Sequence, residues 1–145
     1  MTPPRPTAFA LPMIGWKEHA FFPRLGLGPV VAKIDTGART ATLHADEIEV
    51  LGRRVRFGIL DNEKMRYFRA GLMQMKRVKS SNGISETRPV IRATVLLGTL
   101  KFRMEMTLTD RTDMDVPMLI GRNAIKGRYL VHSGRTFVLD RKAKS

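Results

Sequence analysis

Asp35-Thr36-Gly37-Ala38 is the segment of this chain best equipped for chemistry, and it directly follows the run Val30-Val31-Ala32-Lys33-Ile34. A carboxylate at the end of a buried-looking strand can act as general acid or base, and a nearby glycine lets backbone approach closely. The same residues also suit an ordinary turn, because Asp bonds its own backbone and Gly tolerates positive φ. A second segment, Pro117-Met118-Leu119-Ile120-Gly121-Arg122-Asn123, runs apolar residues into Gly and then a short helical stretch, Arg122 to Gly127. Other chemistries find little support. There is no cysteine, hence no disulfide and no thiolate ligand, and the histidines are His19, His44 and His132 alone. The chain has no His-Glu-x-x-His zinc motif and no phosphate-binding Gly-x-x-x-x-Gly-Lys-[Ser/Thr]. No metal and no cofactor are expected.

The elements that must position these residues read mostly as β-structure. Glu47 to Leu51 and Arg54 to Leu60 surround the turn signal Gly52-Arg53, and Val90 to Leu97 and Leu100 to Leu108 surround Gly98-Thr99. Apolar and polar residues alternate strictly from Leu100 to Leu108, which predicts one buried face. Arg135 to Leu139 reads as a final strand, and Arg122 to Gly127 as the only helical turn or two. This spacing of short strands predicts an all-β barrel or sandwich.

At 145 residues the chain suits one domain. Residues 1–14 are expected to form a flexible arm rather than a signal peptide, 15–140 the domain, and 141–145 a basic tail. No apolar run reaches the roughly 18 residues of a membrane span, and a cytoplasmic location is the default. The formal charge of +13 calls for an anionic partner, and from Lys64 to Arg103 it sets ten basic residues against one acid, Glu86. A nucleic-acid-binding module, or a silent adaptor for a ribosome or an enzyme, would use the same charge. For the former, Phe57, Tyr67, Phe68 and Phe102 serve equally well as core or as stacking surface.

The Asp-Thr-Gly-Ala loop and the apolar-Gly-Arg-Asn segment together resemble the retropepsins, aspartic proteases of the retroviral type. A bacterial subgroup, often labelled "ATP-dependent zinc proteases", is more similar still. It shares Gly15-Trp16-Lys17-Glu18, Ala32 through Thr40, Leu43-His44-Ala45, Glu86-Thr87-Arg88-Pro89-Val90-Ile91 and Gly121-Arg122. The resemblance runs from about Gly15 to Leu139 and implies a small closed barrel that pairs into a homodimer. Peptide hydrolysis by carboxylates needs two, one ionised and one protonated, sharing a proton because both cannot ionise cheaply at close range. The chain has one Asp-Thr-Gly; Asp61, Asp110, Asp113 and Asp115 lack its context, so the second carboxylate must be Asp35 of another copy.

Further roles follow from the resemblance. Thr36 would bond across the dimer axis, Gly37 would offer its carbonyl to substrate, and Gly121 would pack against the catalytic loop. A hairpin from about Gln74 to Ile91, with Ser80-Ser81-Asn82-Gly83 at its tip, would be the substrate-covering flap, or else a plain exposed hairpin. Where retroviral enzymes carry an acid after Ala38, this chain has Arg39, which deprives Arg122 of its usual partner. Arg39 and Arg122 could then select acidic peptides near the scissile bond, or Arg39 could pair with Glu18 or another acid. The subgroup is associated with an ATP-grasp ligase that adds glutamates to a protein C-terminus, so a poly-glutamate tail is the expected substrate.

Overall fold

The computed structural model describes residues 10–79, 82–111 and 114–140; of the flap tip, Ser80 and Ser81 lie outside these, as do Asp113, most of the expected arm and the expected tail. Among the described residues, ten strands and one short helix follow in the order β1 (Met13–Phe22), β2 (Leu27–Asp35), β3 (Ala41–His44), β4 (Asp46–Leu51), β5 (Arg54–Asp61), β6 (Lys64–Lys79), β7 (Ser85–Leu97), β8 (Leu100–Thr109), β9 (Met118–Gly121), α1 (Arg122–Ile125) and β10 (Leu130–Thr136). They form one sheet ordered β10-β1-β2-β9-β3-β8-β7-β6-β5-β4, and Phe21 of β1 pairs with Leu96 of β7. That pairing closes β1, β2, β9, β3, β8 and β7 into a six-stranded barrel. The all-β barrel with one short helix is thus present.

Alternation fills the barrel. Ala20 and Phe22 of β1, Ala32 and Ile34 of β2, and Met104, Met106 and Leu108 of β8 all point inward and are buried. In β8 the alternation predicted one covered face, yet Thr107 and Thr109 are buried as well. β3 runs beside this half of β8, and the Thr42 and Thr107 hydroxyls bond at 3.0 Å. The second face is therefore covered by polar side chains that find partners.

Two expectations shift. The last strand is Leu130–Thr136, five residues earlier than the Arg135–Leu139 run suggested. It lies parallel to β1 with Leu130 opposite Met13, and the apolar Leu139 beyond it is buried in a turn instead. The chain also enters the sheet at Met13, and Ile14, inside the stretch read as an arm, is fully buried.

A catalytic-loop candidate facing a basic hairpin

β2 ends at Asp35, level with the end of β9 at Gly121. Ala32, Lys33, Ile34 and Asp35 lie opposite Met118, Leu119, Ile120 and Gly121 in parallel register, while β3 pairs with the other edge of β9. The loop from Asp35 to Thr40 must therefore pass over β9, and glycine at 121 makes the crossing possible. A Cβ there would sit 2.6 Å from the Thr40 carbonyl oxygen and 2.7 Å from the Arg39 carbonyl carbon. The N–H groups of Arg122 and Asn123 donate to the Ala38 and Arg39 carbonyls at 2.9 and 3.1 Å, tying helix start to loop.

Within the loop the Gly37 N–H donates to Asp35 Oδ1 at 3.0 Å, and the Ala38 N–H donates to the Asp35 carbonyl. One carboxylate oxygen is so oriented by backbone. Among the described residues nothing bonds Oδ2 or the Thr36 hydroxyl, and Thr36 is exposed. Arg122, read from sequence as a substrate contact, sends Nη1 to the Thr36 and Gly37 carbonyls in long contacts of 3.4 and 3.3 Å. It braces the loop.

Asp35 and Thr36 line a cavity of about 460 Å³ shared with Lys33, Arg88, Arg111 and Asp115. A second space of about 430 Å³ continues it under the hairpin, between Arg39 on one side and Lys76, Arg77 and Lys79 on the other. The hairpin is β6–β7, paired from Leu72↔Ile91 to Lys79↔Ser85, with Asn82 and Gly83 in the turn, so the expected hairpin is formed and faces the Asp35 loop. Arg39 has no acid partner among the described residues. Glu18 is fully buried and instead accepts from the Gly15, Val138 and Leu139 N–H groups.

From sequence, Arg39 stands out beside the loop and Arg88 only as one of the hairpin's cations, with Lys76, Arg77 and Lys79; the share of Arg111 and Asp115 in this cleft is not foreseen. One signal was available: Arg88 precedes a proline inside a strand. Pro89 lies opposite Met75 of β6, and pairing to β8 starts at Val90. Arg88 is held by Glu86, which also accepts from the Thr109 hydroxyl at 2.9 Å. Burial acts to raise the Glu86 pKa, but Arg88, Thr109 and Arg111 together outweigh it and hold the carboxyl below its ordinary value.

The histidines are spent separately. His19 bonds Asp140 at 2.9 Å and stacks on Phe137, His44 Nε2 lies 3.6 Å from Asp46, and His132 Nδ1 accepts from the Gly134 N–H. Among the described residues no group of three or more His, Asp or Glu could hold a metal. No helix of the described residues is long and apolar enough to cross a membrane.

A closed barrel in which an Asp-Thr-Gly loop crosses an apolar-apolar-Gly strand under a β-hairpin defines the retropepsin-like class. The chain belongs to the family described as RimB-like, retropepsin-like aspartic endopeptidase RimB, whose sequence model matches residues 13–142. A probable alpha-L-glutamate ligase of Shewanella pealeana is 36% identical over an alignment of 138 residues, and the match covers 90% of this chain and 30% of that protein. Another, of Parasynechococcus marenigrum, is 36% identical over 82% of this chain and 27% of its own length. The chain thus spans less than a third of the curated relatives it matches. The crystal structure of a Legionella pneumophila protein of unknown function superposes with a TM-score of 0.74 at 27% identity, covering 88% of this chain and 98% of that one.

Proposed function

We propose that this chain is one half of a homodimeric aspartic endopeptidase that trims acidic, glutamate-rich tails. The observation that carries the reading is the position of Asp35, in a cavity wall continuous with a cleft rich in cationic side chains. Asp35 Oδ2 and the Thr36 hydroxyl, which nothing bonds among the described residues, give a second copy something to complete. In the pair, an ionised Asp35 takes a proton from water as the water oxygen bonds the scissile carbonyl carbon. The protonated Asp35 gives its proton to the carbonyl oxygen; as the diol collapses and the C–N bond breaks, the first Asp35 passes the water's proton to the nitrogen and the second takes a diol hydroxyl proton, restoring the starting pair. Arg39 and its cationic neighbours would hold substrate carboxylates. Segments similar to this chain occur in proteins named probable alpha-L-glutamate ligases, which supports a glutamate substrate and a ligase as functional partner.

The net charge also favours a polyanion-binding module, but the aromatic side chains suit it poorly. Phe57 and Phe68 are buried against each other, Arg128 covers Phe102, and exposed Tyr67 is faced by Arg56. Cleavage of a poly-glutamate-tailed peptide and of a mixed peptide library, followed by mass spectrometry, separates the readings. Asp35→Asn is expected to lower cleavage by roughly 100-fold or more with the dimer intact, whereas Asp115→Asn, on the same cavity, keeps the dyad. Cleavage that survives Asp35→Asn would refute the mechanism.

A further inference from the structure

Glu86-Thr87-Arg88-Pro89 takes no part in the hydrolysis described, yet it stands in the cleft. The Arg88 side chain is only 8% exposed and borders both the Asp35 cavity and the space under the hairpin. A guanidinium presents five N–H groups, and each one drawn away from water needs an acceptor. Among the described residues one is supplied: Glu86 Oε1 accepts from Nε. The residues are two apart on β7, so strand periodicity aims both side chains to the same side. Glu86 is itself fixed by the Thr109 hydroxyl. The two terminal nitrogens of Arg88 are left without a partner among the described residues, on the wall of the cleft. They form the end of the fork that takes a carboxylate bidentately.

We infer that Arg88 is a specificity-determining subsite for a carboxylate side chain of the bound peptide, and that Glu86 is the positioning residue that presents its fork. This rests on the acidic-substrate reading above and adds the group that selects the acid. Arg39 sits at the open rim and is exposed, so its pull on an acidic chain is screened by water. The Arg88 stem is sheltered while its fork end opens on the cleft, so a carboxylate seated there displaces water and meets the charge at close range, which a neutral amide matches only in part.

The test uses catalytically silent Asp35→Asn protein and measures the dissociation constants of capped tri-glutamate and tri-glutamine peptides by calorimetry. The ratio of the two constants is the readout. Adding Arg88→Met is expected to reduce the preference for glutamate by about tenfold. Glu86→Ala should reduce it severalfold, and Glu86→Gln, whose amide oxygen still accepts from Nε, should restore it. A folded Arg88→Met protein with an unchanged ratio overturns the inference, as does a folded protein that binds neither peptide. If Arg88→Met does not fold, the Glu86 variants decide: a lower ratio in Glu86→Ala than in Glu86→Gln supports the subsite, and equal ratios overturn it. Failure of the peptidase reading would appear elsewhere, as wild-type cleavage that is absent or independent of Asp35.

Discussion

At the scale of single residues, the site depends on how tightly the Asp35 loop is held. Gly121 has no room for a methyl group, because the atoms it would meet are backbone of Arg39 and Thr40 and cannot rotate away. Gly121→Ala is expected to cost about 3 kcal/mol, read by chemical unfolding, and to shift the loop enough to depress turnover in whatever folds. Glu86 supplies a second prediction. Its carboxyl titrates below the ordinary 4.5, since the pull of Arg88, Thr109 and Arg111 exceeds the effect of burial. A depressed folded pKa contributes stability that is complete above the unfolded value and is lost as pH falls through the folded one. Unfolding followed from about pH 6 to about pH 3 should show that loss, and Glu86→Gln should make the curve flatter. An equal slope in the variant would place the acid sensitivity in other carboxylates.

Among the elements, β1 and the turn after β10 are joined by one side chain. Glu18 accepts from Gly15 three residues earlier in the chain and from Val138 and Leu139 at its far end. Three backbone N–H groups depend on a carboxylate with no exposure. Glu18→Ala strands them in a site that water does not reach, and the loss should be about 3 kcal/mol. Hydrogen exchange should locate it at residues 130–140 while the β7–β8 ladder stays protected. Equal loosening of both would show that Glu18 acts on the whole barrel. The β6–β7 hairpin is different: Met73, Met75 and Ile84 are exposed apolar residues interleaved with its cations.

The whole molecule carries a charge of +13, and much of it surrounds the cleft. Long-range attraction of this kind raises the rate at which an acidic chain arrives, and salt removes it over about 10 Å at 0.1 M. The specificity constant for a glutamate-rich peptide should therefore fall severalfold between about 50 and about 500 mM salt, and that for a neutral peptide much less. If both fall alike, salt is acting on assembly. Assembly has its own measurement: a dyad shared between copies predicts that specific activity drops on dilution, in step with the loss of dimer by sedimentation. Constant specific activity through dissociation would mean that one chain suffices.

Much of this protein was legible in its residues because the signals are local. Gly52-Arg53 and Gly98-Thr99 mark hairpins through turn chemistry, alternation in Leu100–Leu108 marks a strand, and Asp35-Thr36-Gly37 with Gly121-Arg122 marks two segments that meet. What sequence could not reveal depends on contacts between distant segments. Periodicity does not say that Arg135–Leu139 would give up strand pairing to the earlier Leu130–Thr136, because the choice is made by register against β1 and by the pull of Glu18 on Val138 and Leu139. Nor does it say that Glu18 is used up in that clamp and leaves Arg39 with no acid partner among the described residues. Burial of Arg88 beside the Asp35 cavity arises only when β7, β8 and the β2–β9 crossing are brought together. A charge on a strand reads as surface until the fold supplies the wall that covers it.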